Sequence, residues 1–452
     1  MSFYFLIYLF LIILEGSFSL GKRNFEILAN ILILIGLVER FFLDCDCVTN
    51  IYHFVAGRGD YISKWFVFLN FFTWLIRNLT ASFVNHSLSK YTLYIILMLI
   101  NFFIWIMLNT NRIIIFYTYF ELRVIPIFLL IGAWGYNPER DVAGVLYLFL
   151  SVVFARPLIL IFVGRTLSHS DLTFHSIIIR LETPYYQFSR LRFYFIFITL
   201  PWMIKIPLLY FHVWLIKAHV EAPIYGSVEL AGILIKVSVV GAHRFVFCFQ
   251  HCYSILESLK ALCLVRFLVA RSAAFFIGDF KLIVAISSVS HVCIPFFCLV
   301  SLKYFPLLRC IFYLIGHRFS TISLFIRGQI FYQRLGSRIV KMITGSLNDL
   351  VFAGLFFRSV ICRLGVPPTI GFLIEVFLCF FSIRISFIVI FFLFLGLFCV
   401  AIYSLSLFTS RLTKDILLEK IAVFKIRFFL RNIIFLNIWV FFFTNLMLWS
   451  FN

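Results

Sequence analysis

Acidic residues are few in this sequence: 19 Asp and Glu stand against 39 Lys and Arg in 452 residues. Charged residues of both signs make up only 13%, where a soluble domain carries about 25%. Such a chain cannot cover its own surface with polar groups, which excludes a soluble globular protein. No polar domain, long linker or low-complexity tract interrupts it, so residues 1–452 read as one integral domain. Metal-type cysteine spacing is also missing. The 11 Cys are scattered, and the close pairs Cys45-x-Cys47 and Cys248-x-x-x-Cys252 match neither zinc nor iron–sulfur spacing. They read as small apolar fillers. The start, "MSFYFLIYLFLIILEG", lacks a basic flank and an Arg/Ser-rich amphipathic presequence, so it reads as a first span. In an organellar protein that implies synthesis inside the organelle, and 62 Phe with few Ala and Gly point the same way.

What is present is apolar: 63% of residues are hydrophobic and 20% aromatic. The class is an all-α polytopic membrane protein. Apolar runs between polar punctuation give about fourteen transmembrane helices. They lie near 3–20, 25–43, 63–83, 91–109, 113–133, 142–164, 193–215, 223–249, 254–277, 281–302, 305–327, 345–382, 385–409 and 428–449. Residues 165–192, 328–341 and 410–431 are polar connections, the last with charges among apolar residues as in an interfacial segment. The net charge of +20 is spread between the apolar runs, which fits anionic lipid and topology rather than nucleic acid. Asn78 and Asn85 match the glycosylation pattern, which matters only in a secretory lumen.

A charge at mid-bilayer costs at least about 2.5–3.5 kcal/mol, so ionisable residues inside spans are functional candidates. Glu121, in "IIIFYTYFELRVIP", reads either as a local partner of Arg123 or as a buried carboxylate facing a cation. Lys205, in "LPWMIKIPLLYF", stands two residues before Pro207. A proline lacks an N–H and clashes with the preceding turn, so nearby carbonyls lose their helical partners. Unwound backbone at that depth lines a polar cavity. Desolvation there disfavours an ammonium and a nearby carboxylate favours it, so moving the carboxylate would switch the lysine between holding and releasing a proton. The other reading is a lysine that snorkels to the interface.

His212 and His219 share nearly one helical face; a proton relay, metal ligation and a structural role all fit that spacing. Lys236 falls deep in its span, with Glu229 seven residues earlier on the same face of a regular helix, about 10 Å away. Glu229 is therefore its possible partner. His291 and His317 lie in adjacent spans among Ser287, Ser288, Ser290, Ser320 and Thr321, as along a hydrated path. Glu375 follows Pro367-Pro368 as Lys205 accompanies Pro207. Proline-broken helices at spans seven and twelve suggest two inverted repeats of about five helices each. The first covers 91–250 and the second 254–409. Residues 1–90 form peripheral spans, and 410–452 the interfacial segment and last span.

These residues resemble the subunit-4 family of mitochondrial NADH dehydrogenase, the antiporter-like membrane subunits of respiratory complex I. The matching stretches, in family order, are "FELRVIP", "GAWGYNPERDVAG", "MIKIPLLYFHVWLIKAHVEAPIYGSVELAGILIK", "DFKLIVAISSVSH" and "VPPTIGFLIE", ending at Glu375. The third is the most specific. The first 90 residues and those after 385 match in hydropathy alone. Related antiporter-like subunits carry His in place of Lys236 or Lys on the twelfth span, so Lys236 with Glu375 points to the subunit-4 type. Three features depart from the pattern: Ile216 replaces a usual Pro, Glu229 is more typical of bacterial relatives, and Arg156 and Arg165 are unexpected.

The resemblance implies that Glu121 and Lys205 form a coupling ion pair, Lys236 carries the proton at the centre, and Glu375 takes it at the exit. His212, His291 and His317 would line the connecting path. It implies no cofactor in this chain: NADH, FMN, iron–sulfur clusters and ubiquinone would be bound by partner subunits of the H+-translocating NADH:ubiquinone reductase. The implied partners are the neighbouring antiporter-like subunits and lipids such as cardiolipin, in the mitochondrial inner membrane. A cation/proton antiporter subunit of the multisubunit sodium/proton type shares much of this motif set. A structural subunit that has lost pumping is the other alternative.

Overall fold

The computed structural model describes residues 87–168, 188–246, 253–301, 307–340, 350–383 and 387–412, apart from Asn111, Tyr136, Leu209, Tyr210 and Pro368, with scattered positions between 63 and 74. The spans expected near 3–20, 25–43 and 428–449 lie outside the described residues. So do most of 63–83 and of the connections, the two glycosylation patterns, the two close cysteine pairs and the side chain of Arg165.

Among the described residues the fold is all helix, with a single isolated bridge between Asp279 and Ile339. In chain order the helices are α1 (Ser87–Asn109), α2 (Ile113–Leu122), α3 (Val124–Trp134), α4 (Arg140–Ser168) and α5 (Phe188–Lys205). There follow α6 (Val213–Glu221), α7 (Ile224–Glu229), a π-helical turn (Leu230–Leu234) and α8 (Ile235–Val246). The second half contains α9 (Tyr253–Phe276), α10 (Phe280–Val300), α11 (Leu307–Leu335), α12 (Leu350–Leu364), α13 (Ile370–Ile383) and α14 (Phe387–Leu412).

Six stretches of the described residues are long and apolar enough to cross a membrane: Thr92–Asn109, Ile113–Trp134, Arg140–Gly164, Ile224–Phe245, Phe280–Val300 and Phe387–Phe408. α9 and α11, of 24 and 29 residues, have the length but are less apolar, because they contain Arg266, Arg271, Arg318 and Arg327. The six divide into centre and rim. Every residue of Ile224–Phe245 is buried, and so is every residue of Phe280–Val300 except Lys281 and Leu282, whereas most of Arg140–Gly164 and Phe387–Phe408 is not. Phe387, Phe391, Phe394 and Phe398 recur at helical spacing along α14 and are exposed, the pattern of a face turned to lipid. α9 packs along α10 and α14, α10 along α11, and α4 along α3 and α5.

Three helix ends position the site. Pro126 removes a backbone donor and crowds the carbonyl of Leu122, where α2 gives way at Arg123 to α3. At the end of α5, Pro207 has no N–H to offer Met203; the Leu208 N–H bonds that carbonyl instead, at 3.0 Å. The Ile204 carbonyl accepts from the Trp214 indole at 3.0 Å. α12 ends at Gly365 with φ 67°, and the Val366 N–H reaches back to the Ile361 carbonyl at 3.5 Å, a Schellman-type closure that favours glycine.

The centre is close-packed around Trp202, whose ring stands 4.8 Å from Phe120 and 5.2 Å from Phe245 by centroid. Gly241 on α8 faces that indole so closely that an added Cβ would overlap it. Gly241→Ala is expected to cost about 1–3 kcal/mol through overpacking. A lower thermal midpoint of the detergent-solubilised protein would show it.

Candidate functional site

The site is a line of buried ionisable groups through the centre of the bundle. At one end, Glu121 sits in the last turn of α2 and Lys205 is the last residue of α5. Lys205 Nζ lies 3.5 Å from Glu121 Oε2, with the side chains 3% and 15% exposed. This is an ion pair in nearly dry surroundings. The pair shares a floor: Lys205 Nζ lies 5.2 Å from the centroid of the Phe120 ring, and the Arg123 guanidinium 4.1 Å from it. Arg123 is fully buried and donates from Nε to the Phe120 carbonyl at 3.1 Å. Glu121 thus meets Lys205 from another helix, with Arg123 buried nearby rather than at an interface.

Lys236 opens the α-helical part of its span after the π-turn and is fully buried. Its Nζ donates to the Ala231 carbonyl within that turn. The π-turn also changes the expected geometry. The spacing of Glu229 and Lys236 predicts one face only for an unbroken α-helix, and here five π-helical residues intervene and change the phase. Glu229 comes within electrostatic reach of Arg123. Lys236 is within reach of His219, His291 and His317. His219 is fully buried and stacks on Phe325, 5.3 Å between centroids.

The far end is built by α10, α11, α12 and α13. The rings of His291 and His317 stack at 4.8 Å, and His291 Nδ1 lies 2.6 Å from the Tyr313 hydroxyl. Both histidines line a cavity of about 30 Å³ together with Tyr313, Ser320, Arg363 and Glu375. That is room for a water, which needs about 10–15 Å³. Gly365 lets the end of α12 lie against Glu375: an added Cβ would stand 2.5 Å from Glu375 Oε2.

His212 is placed apart from this pair. It occupies the N-cap position of α6 without a side-chain capping bond, half-buried and within electrostatic reach of Arg266 on α9. Arg156 is exposed on the rim helix α4. Several buried cations escaped the sequence reading: Arg266, Arg271, Arg318, Arg327 and Arg363 are all at most 5% exposed. The cost that singled out Lys and Glu inside spans applies equally to arginine and would have found them in "CLVRFLVARSAAFF" and "FFRSVICRLGVPP". Lys281 was missed as well. Its ammonium donates to the carbonyls of Val220 at 3.1 Å and Ala222 at 2.5 Å, and Arg338 donates to Val220 at 3.0 Å. Two cations thus satisfy the carbonyl end of α6.

An all-helical bundle with carboxylates, lysines and histidines strung through its buried centre defines an antiporter-like membrane protein. The comparisons with known proteins narrow the class. The profile of the NADH:quinone oxidoreductase/Mrp antiporter transmembrane family matches residues 110–402. The chain belongs to that family. It is 31% identical over 301 residues to the NADH-ubiquinone oxidoreductase chain 4 of Rhipicephalus sanguineus, covering 65% of each chain. It is 29% identical over 371 residues to the same chain of Ceratitis capitata, covering 80% of this chain and 79% of the relative. The fold is shared with a chain of respiratory complex I from Thermus thermophilus with bound NADH. The TM-score is 0.77 at 20% identity, over 94% of this chain and 92% of that one.

Two glycines of α12 and its end make a paired test of the local geometry. Gly365→Ala adds a left-handed-backbone cost of about 1–2 kcal/mol to the clash with Glu375. Gly354, inside α12, has open space around it, and Gly354→Ala is expected to stabilise by about 0.5–1 kcal/mol. Thermal midpoints moving in opposite directions are the expected result.

Proposed function

We propose that this chain is the chain-4-type, proton-translocating subunit of a mitochondrial NADH:ubiquinone oxidoreductase. The observation that carries this reading is the buried Glu121–Lys205 pair at 3.5 Å, followed by Lys236, the His291–His317 stack and Glu375. The chain 4 names of the relatives support it. In this reading the chain has about fourteen spans in the inner membrane, with two inverted repeats of about five helices. The ends of α5 beside Pro207 and of α12 before Pro367 support the paired breaks.

The mechanism is electrostatic. A buried ammonium facing a carboxylate is held charged; once the carboxylate withdraws, desolvation and the Arg123 cation that shares the Phe120 ring with Lys205 favour release. Redox chemistry in partner subunits, which would bind NADH, FMN, iron–sulfur clusters and ubiquinone, moves Glu121 relative to Lys205. Loss or gain of that charge changes the cost of a second ammonium at Lys236. A proton leaving Lys236 passes the two stacked imidazoles and the Tyr313 hydroxyl and reaches Glu375. Neighbouring antiporter-like subunits and lipids such as cardiolipin would complete the surroundings. His212, Glu229 and His219 flank this line rather than continue it.

Removing one partner of a buried pair strands the other at a cost of about 3–5 kcal/mol, so the pair offers a direct test. Lys205→Ala in the reconstituted complex is expected to lower the ratio of protons pumped to NADH oxidised by half or more. Pumping at the full ratio would refute the coupling role. The family also covers Mrp antiporters, so purification is the second check. A chain that exchanges cations for protons with no NADH-oxidising partner would be a stand-alone transporter.

A further inference from the structure

Arg363 sits in the last turn of α12, two residues before the break at Gly365. A cation in a last helical turn ordinarily serves its own helix, whose carbonyl end is negative. Arg363 does not turn back on its own carbonyls. Its guanidinium crosses to α10, donating to the Val284 carbonyl at 3.2 Å and to the Ser287 hydroxyl. Ser287 can accept, because its own proton goes to the carbonyls of Ile283 and Val284, at 2.6 and 3.1 Å. Ser287 stands one helical turn before His291. Arg363 is 5% exposed, and its Nε and remaining terminal nitrogen have no hydrogen-bond partner among the described residues. It lines the same cavity as Glu375, His291 and His317.

We propose that Arg363 is a positioning residue of the proton path: a permanent cation, anchored on α10, that makes both the His291–His317 pair and Glu375 places of transit for the proton rather than of rest. This rests on the proton-translocating reading given above. A guanidinium stays charged at any working pH, so its field is fixed. It opposes a positive imidazolium on either ring and favours the ionised form of a carboxylate across the cavity, so a proton taken up there is readily given up again. Arg271 on α9 acts in the same sense, since it is fully buried and within electrostatic reach of Glu375 and Tyr313. Its guanidinium lies 3.9 Å from the centroid of the Phe267 ring. Arg363 differs in touching the helix that carries His291. Lys236 is also within electrostatic reach of both histidines, and among the described residues Glu375 is the one carboxylate that lines this cavity.

The test uses the purified complex containing this chain, reconstituted in proteoliposomes, with proton uptake and NADH oxidation read together. Arg363→Gln is expected to lower the proton-to-NADH ratio at least twofold, and Arg363→Lys, which keeps the charge, to restore most of it. A residue that merely pinned α12 to α10 would give equal losses for Gln and Lys, and that result overturns the proposal. So does full pumping by Arg363→Gln. If Arg363→Gln does not assemble, Ser287→Asp neutralises the guanidinium where it stands; it should lower the ratio likewise, and an unchanged ratio overturns the proposal. Wild-type complex that oxidises NADH without pumping would instead refute the underlying function.

Discussion

A backbone carbonyl that loses its helical donor inside an apolar layer must find another, and most of this structure follows from that constraint. The donors it finds are of two kinds. At the end of α5 they are neutral, the Leu208 N–H and the Trp214 indole. At the end of α6 they are cations, Lys281 and Arg338. A lysine or arginine that would be expensive in hydrocarbon becomes tolerable beside such carbonyls, because the oxygens replace the water it left. Interrupted helices and buried charges therefore occur together: Lys205 at the end of α5, Lys236 after the π-turn, and Arg363 at the end of α12. Lys236 donates to a carbonyl of its own π-turn, whereas Lys205 meets Glu121 and Arg363 crosses to α10.

Much of the fold was legible in the sequence for that reason. Hydropathy located the crossing helices, since a span needs a length of apolar residues whatever it packs against. Pro207 and Pro367 marked the ends of α5 and α12 because the chemistry of proline is local. Glu121 and Lys205 were individually visible as charges in apolar runs. Their meeting was not, because it depends on how α2 and α5 pack. The π-turn before Lys236 was also hidden. "LAGIL" carries no sign of it, and it removed the simple relation expected between Glu229 and Lys236. The buried arginines were visible but passed over, since a chain with +20 net charge offers many arginines that belong at the interface. What separates Arg363 from those is its destination on α10, which no spacing within α12 reveals.

The two ends of the buried line are built differently. Glu121 and Lys205 face each other in close, nearly dry packing over an aromatic floor. Glu375 faces a small cavity that can hold water and is overlooked by arginines. The first arrangement couples two charges strongly and passes protons poorly. The second has room for a water and, in the proposed function, is where protons pass.

The short clasp at Asp279 has a mechanical consequence. Phe280 N–H bonds the Arg338 carbonyl at 3.0 Å and Val340 N–H bonds the Gly278 carbonyl at 2.8 Å, while Lys281 and Arg338 both reach the end of α6. The start of α10, the segment after α11 and the end of α6 are thus riveted at one point, without any of them being covalently adjacent. A tilt of α6, whose end Lys281 and Arg338 hold, would therefore turn about that rivet and act on the base of the helix that bears His291.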